Sequence, residues 1–319
     1  MGQAFLPASC GCTHPHESFS PTSTSCRGRQ ECLPHPEICA CEVHLIPEKW
    51  KLGLIVGLSE NVDESFRKVA DVGLATCQLS CWKPDILGPG LSTKVKEASK
   101  RYGVEVSSFW AGHSGKTTWN FIDGPKTIGL VPPATRAARL VELKKGADFA
   151  KMIGAPSIST HVGFIPEDLN DPNYPPRVEG LRDLANHCKN NGIGFWFETG
   201  QETPTTLLRT FEDIGTDNLG VNLDPANLIL YGRGNPVDAL DVFGKYVRGM
   251  HAKDGTYPTD GRNLGHETPL GQGKVDFPKL MGRLKELGFK GPVTIEREIS
   301  GAQQEADIRQ AIAILTPLL

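Results

Sequence analysis

Three carboxylates and one imidazole stand at or near the ends of four consecutive apolar runs. Glu198 closes residues 193–198 (IGFWFE), Asp224 closes 219–224 (LGVNLD), His251 lies in 247–252 (VRGMHA) and Glu296 closes 293–296 (VTIE). Oxygen-rich ligands with a single imidazole suit a hard or borderline divalent cation rather than a thiolate-bound structural zinc. Drawn together without a cation, three carboxylates would raise one another's pKa; a divalent ion removes that cost. Manganese accepts nitrogen and carboxylate ligands together and is the first expectation, with Mg²⁺ and Co²⁺ as alternatives. Singly, each residue has a plainer reading: Glu198 or Asp224 as a helix cap or first-turn acid, His251 as a hydrogen-bonded core histidine. Recurrence at four successive run ends is what points to one shared metal site.

The runs belong to a repeating pattern. From Lys51 onward a short apolar or β-branched run is followed by a loop and then by an amphipathic stretch that often stops at glycine. Eight such units are expected, with strands at 52–57, 74–79, 104–110, 157–162, 193–198, 219–224, 247–252 and 293–296. The expected helices cover 61–72, 92–102, 134–153, 178–190, a segment capped by Thr203 with Pro204 at its first position, a segment after Asn235-Pro236, 277–287 capped by Asp276, and 303–315. Alternating strands and helices imply parallel β-α units. Eight of them in about 270 residues match the α/β class and a (β/α)8 TIM barrel. A doubly wound open sheet is the rival, but no glycine-rich phosphate turn follows the first strand, where Gly57 leads to Leu58-Ser59-Glu60. In a barrel the strand C-termini share one face, and neighbouring strands lie about 4.8 Å apart, so four adjacent strand ends can aim at one point.

Composition narrows the function classes. Of 319 residues, 39% are hydrophobic and 22% charged, enough for a sizeable core. The net charge of −3 gives no bulk attraction to nucleic acid or to a membrane surface. No apolar run approaches the ~18 residues of a membrane span, and no secretory signal pattern opens the chain. Six of the nine cysteines (Cys10, Cys12, Cys26, Cys32, Cys39 and Cys41) fall in residues 1–49, which are also rich in Ser, Pro and His. Residues 1–49 are therefore expected to be a disordered or artefactual leader, with a zinc-binding leader built on the CxC pairs as the alternative. The cysteine-poor body, 50–319, is expected to be reduced and cytoplasmic.

At Phe197-Glu198-Thr199, Leu223-Asp224-Pro225, His251-Ala252-Lys253-Asp254, the segment from Pro269 to Phe277 (PLGQGKVDF) and Ile295-Glu296-Arg297-Glu298, the sequence resembles the xylose-isomerase-like barrel superfamily of sugar phosphate isomerases and epimerases. The resemblance spans about residues 51–319. It implies one divalent metal held by Glu198, Asp224, His251 and Glu296. It also implies a keto-sugar substrate and, as in ketose 3-epimerases, proton exchange by Glu198 and Glu296 through an enediolate. Elimination from the same enediolate would make the chain a lyase or dehydratase acting on a keto-sugar, an inosose-type ring or a 3-keto-glycoside. Many relatives carry histidine three residues after the aspartate; here that position is Asn227, which leaves the sugar unspecified. The three-zinc set of endonuclease IV is incomplete here.

Other polar and aromatic residues near the expected strand ends are candidates for binding the sugar. His161 is a candidate general acid or hydroxyl contact, and Lys253, on the same strand face as His251, a candidate for neutralising an oxyanion. Trp110 suits stacking on a sugar face, with His113, Asn227 and Gln78 as further contacts. Arg297 alternates away from the metal and is expected in a salt bridge, whereas Glu298 returns toward the metal side. His266 lies in the long seventh loop as a lid candidate. The expected partner is a small, unphosphorylated sugar; association into a homo-oligomer through the outer helices is left open.

Overall fold

The computed structural model describes residues 50–319. The leader and its pairs Cys10-Gly-Cys12 and Cys39-Ala-Cys41 lie outside the described residues. Eight parallel strands form a closed barrel: β1 (Leu52–Gly57), β2 (Thr76–Cys81), β3 (Glu105–Ala111), β4 (Ser157–Thr160), β5 (Gly194–Glu198), β6 (Leu219–Leu223), β7 (Val247–Ala252) and, after a small antiparallel hairpin of β8 (Asp254–Gly255) and β9 (Glu267–Thr268), β10 (Val293–Ile295). Each barrel strand pairs with its sequence neighbours, and Leu52 beside Val293 closes the ring. This is the (β/α)8 architecture.

The helices are α1 (Val62–Asp71), α2 (Pro89–Tyr102), α3 (Gly124–Thr127), α4 (Pro133–Ile153), α5 (Tyr174–Asn190), α6 (Pro204–Ile214), α7 (Pro225–Leu230), α8 (Ala239–Phe243), α9 (Phe277–Glu286) and α10 (Ala302–Leu315). Their apolar stripes face the sheet: Val62, Phe66 and Val69 of α1 are buried, as are Leu207, Phe211 and Ile214 of α6. Thr203 caps α6 by accepting from the Thr206 N–H, and Asp276 caps α9 by accepting from the Lys279 N–H.

Several boundaries differ from expectation, among them the end of β4 at Thr160 rather than 162 and the start of α5 at Tyr174 rather than 178, and three differences have local reasons. β2 starts at Thr76 rather than 74, because Gly73 and Leu74 donate their N–H groups back to Ala70 and Val69 and complete the end of α1. α2 starts at Pro89, three residues early, since proline is well suited to a first helical turn. α7 was not expected. It starts immediately after β6, with the Asp224 carboxylate accepting from the Asn227 N–H.

Alternation along the strands sends Trp196 and Glu198 to the same side of β5. Glycines on the neighbouring strands clear room for the Trp196 indole. A Cβ at Gly220 would lie 2.6 Å from its Cδ1, and one at Gly249 would lie 3.2 Å from its Cζ3. The indole packs one side-chain layer below the polar residues at the strand C-termini.

Candidate metal centre and active site

Glu198, Asp224, His251 and Glu296 converge. One ligand atom from each lies within 4.8 Å of the others. β5 and β7 supply Glu198 and His251; Asp224 and Glu296 follow directly on β6 and β10. His251 Nδ1 is 2.8 Å from Glu198 Oε1, 2.8 Å from Glu296 Oε2 and 3.7 Å from Asp224 Oδ2. On the other side of the ring, Nε2 lies 2.6 Å from Gln78 Oε1, across the barrel on β2. An amide oxygen requires a donor, so Nε2 carries the proton and the Nδ1 lone pair faces the carboxylates.

That arrangement fits a cation. Asp224 Oδ2, His251 Nδ1 and Glu296 Oε2 are buried without a hydrogen-bond partner. Buried acceptors facing one another are costly unless a positive charge sits among them. The remaining atoms are held. Asn222 Nδ2 donates to Glu198 Oε2 (2.5 Å), and Asp224 Oδ1 accepts from the Asn227 N–H (2.8 Å). The Thr199 hydroxyl ties β5 to β6 by accepting from the Asp224 N–H (2.8 Å).

The same charges set the protonation of the cluster. Without an ion, Nδ1 would also take up a proton: burial alone would lower the His251 pKa, but the charges of Glu198 and Glu296 raise it well above the usual imidazole value, and a cation at the site would displace that proton. Burial raises Glu198 to about 7, despite the opposing charge of His251. Burial also pushes Glu296 upward, yet Lys253 and His251 together hold it well below the usual carboxylate range.

Lys253 is 3% exposed, with Nζ 3.0 Å from Glu298, 3.5 Å from Glu296 and 3.7 Å from Asp224. Burial opposes its charge, but Glu296 and Glu298 raise its pKa well above the usual lysine value. Arg297 turns away and pairs with Glu267 (2.9 Å) and Asp307 (2.8 Å). His161 directly follows β4, and Gln201 Nε2 approaches its Nδ1 at 3.2 Å. The amide nitrogen donates, which leaves His161 Nε2 as the N–H of a neutral ring. Burial, then the charge of Lys253, lower its pKa to about 3.

The structure places the remaining sequence-predicted residues differently. Gln78 is engaged by His251 rather than left for a substrate hydroxyl. Asn227 gives its backbone N–H to Asp224, and its side chain is buried beside Gly200. Trp110 is buried, with its ring 5.7 Å from that of His161. His113 is buried against Trp82 and donates from Nδ1 to the Ser114 carbonyl (3.0 Å), so that nitrogen is already used. His266 is exposed on the hairpin loop, where its carbonyl accepts from the Thr256 N–H.

Asn222, Gln201, Glu202, Tyr231, Trp82 and Trp119 were not anticipated. Glu202 is 2% exposed, both its carboxylate oxygens lack partners, and burial raises its pKa to about 8. Gln201 and Glu202 lie between a strand end and a proline-started helix, where barrel loops carry function, so their position was readable. Trp119, inside a long loop, gave no such signal.

The two sequence segments HAKD and PLGQGKVD form one device. The buried Asp254 carboxylate accepts from the N–H groups of Gly255 (2.8 Å), Gly271 (2.9 Å), Gly273 (2.9 Å) and Val275 (3.1 Å). A Cβ on Gly273 would collide with that carboxylate, which requires glycine there.

Comparison with known proteins agrees with the barrel fold. A xylose isomerase domain protein from Planctomyces limnophilus is 35% identical, with a TM-score of 0.80 over 84% of this chain and 97% of that one. A xylose isomerase-like TIM barrel protein from Mycobacterium smegmatis, in complex with magnesium, is 18% identical, with a TM-score of 0.64 over 85% and 98%. The 3-keto-D-glucoside 4-epimerase of E. coli is 18% identical, with a TM-score of 0.65 over 84% and 100%. Residues 66–318 match the family model directly, and the chain belongs to the xylose isomerase-like TIM barrel family.

Proposed function

We propose that this protein is a divalent-metal-dependent isomerase or epimerase that moves a proton beside the carbonyl of an unphosphorylated keto-sugar. The observation that carries the reading is the convergence of ligand atoms from Glu198, Asp224, His251 and Glu296 within 4.8 Å of one another. Glu198, Asp224, His251 and Glu296 would hold the ion, with Mn²⁺ favoured and Mg²⁺ or Co²⁺ acceptable. A bound divalent cation supplies polarisation of the substrate carbonyl and charge to stabilise an enediolate. The magnesium complex of the mycobacterial protein and the keto-glucoside activity of the E. coli protein support the reading.

The chain's own groups supply the rest. Glu198 on β5 and Glu296 directly after β10 would flank the sugar, one removing the carbon-bound proton and the other returning it. Return to the opposite face of the same carbon is epimerisation; return to the neighbouring carbon is isomerisation. His161 offers a neutral N–H to a substrate oxygen. Lys253 stays charged near developing negative charge, engaged by three carboxylates rather than offered to a phosphate.

The test is incubation of Mn²⁺-loaded protein with a panel of ketoses in D₂O, followed by product NMR. Deuterium at the carbon beside the carbonyl, in a recovered epimer or isomer, is the expected result, and Glu198→Gln and Glu296→Gln each abolish it. An enone product instead assigns elimination and makes the protein a lyase. If neither product forms while the ion is demonstrably bound, the proposal is refuted.

A further inference from the structure

We propose that the barrel mouth carries a second sugar-ring subsite built from the indoles of Trp82 and Trp119, so that the substrate is a glycoside. Its further ring stacks on these indoles while its keto-sugar ring meets the metal-ligand cluster. The proposal deepens the functional reading above and rests on it.

The mouth is divided. Glu198, Asp224, His251, Lys253 and Glu296 occupy the sector of β5, β6, β7 and β10. The sector of β2 to β4 is aromatic: Trp82 follows β2, Trp110 lies on β3, His161 follows β4, and Trp119 arches in from the loop before α3. Three of the chain's five tryptophans gather there. Ring centroids lie 4.7 Å apart for Trp82 and Trp110, 6.3 Å for Trp82 and Trp119, and 5.1 Å for Trp119 and His161. His161 joins the sectors, since its charged neighbours include Lys253, Glu296 and His251.

Exposure singles out two of the three indoles. Trp110 is 5% exposed and forms a base, whereas Trp82 is 41% and Trp119 42% exposed. Both are placed by rigid surroundings. A Cβ at Gly112 would lie 2.8 Å from Trp82 Cδ2, so the indole rests directly on backbone. Beyond Trp119, Asn120 Oδ1 accepts from the Ile122 and Asp123 N–H groups, and the Phe121 N–H donates to the Arg262 carbonyl across the mouth. Ordered, half-exposed aromatic faces beside a neutral imidazole N–H match a sugar ring, which presents apolar C–H faces and a polar rim.

Size identifies the occupant. Eight strands about 4.8 Å apart and tilted by roughly 36° enclose a barrel about 15 Å across. A six-membered sugar ring, with bonds near 1.5 Å, spans roughly a third of that. A ring drawn to the cluster would lie beside His161, and a second linked ring would cover the exposed indoles that adjoin His161 and Trp110.

The test titrates Mn²⁺-loaded protein with D-glucose and D-fructose, and with the two-ring sugars cellobiose, maltose and sucrose. Tryptophan fluorescence and saturation-transfer NMR report binding. At least one two-ring sugar is expected to bind about tenfold more tightly than the single rings, the scale of one or two aromatic contacts. Trp119→Ala and Trp82→Ala remove that gain, leave single-ring binding within about twofold and leave Mn²⁺ uptake unchanged; Trp119→Phe retains part of the gain. The idea is overturned if no two-ring sugar gains, if the variants weaken both classes equally, or if they change only the sedimentation coefficient, which would make the indoles an interface between copies. Binding requires no turnover. Deuterium exchange without a second-ring gain therefore keeps the enzyme reading and removes the subsite; a gain without exchange does the reverse.

Discussion

His251 shows how a single neighbour decides what a side chain can do. Gln78, on the opposite wall, fixes the tautomer that turns the Nδ1 lone pair toward the carboxylates. Replacing Gln78 by Leu frees the ring to turn and is expected to weaken Mn²⁺ binding about 10–100-fold, read by isothermal titration calorimetry, without unfolding the barrel. Glu202 makes a different prediction. Its folded-state pKa of about 8 stands above the model-compound value of 4.5, so the native state binds the extra proton between those values. Stability is therefore fullest below about pH 4.5 with respect to this group and falls as pH rises toward 8, at up to ~1.4 kcal/mol per unit. Glu202→Gln, a permanently neutral mimic, flattens that fall, and denaturant melts at pH 6 and pH 8 measure the difference. The four converging residues were legible because each stands at or near the end of an apolar run. Glu202 was not singled out, because a lone acid in a loop has the same sequence appearance whether buried or solvated.

At the scale of elements, strand order and most helices could be read from periodicity, since each unit buries one face against the sheet. The reading failed where a local hydrogen bond outweighed pattern. α7 is only six residues long, too short to show a period, and it owes its start to the Asp224 side chain. The hairpin of β8 and β9 is two residues on each side, and neither strand carries an alternating signature. Conversely, Thr203-Pro204 announced α6 correctly, and Thr203→Ala should cost about 0.5–2 kcal/mol of stability through the lost cap, measured by urea melts. The glycines beside Trp196 had no meaning in the sequence alone. Gly220→Ala drives a methyl against that indole and the Arg248 stem, and a loss of about 1–3 kcal/mol is expected in the same assay.

For the whole molecule, a cation shared by four segments is a crosslink that exists only in the folded state. Mn²⁺ at about 100 times its dissociation constant should add about 2.7 kcal/mol, seen as a rise in melting temperature that EDTA reverses and His251→Asn abolishes. Among the described residues, no helix is long and apolar enough to cross a membrane. The Asp254 clasp divides the seventh loop into parts with different duties. Residues 269–275 are fastened through their N–H groups to the segment directly after β7, while 256–266 project beyond the fastening. A longer or shorter outer arc would therefore redraw the entrance while leaving Glu198, Asp224, His251 and Glu296 where they converge.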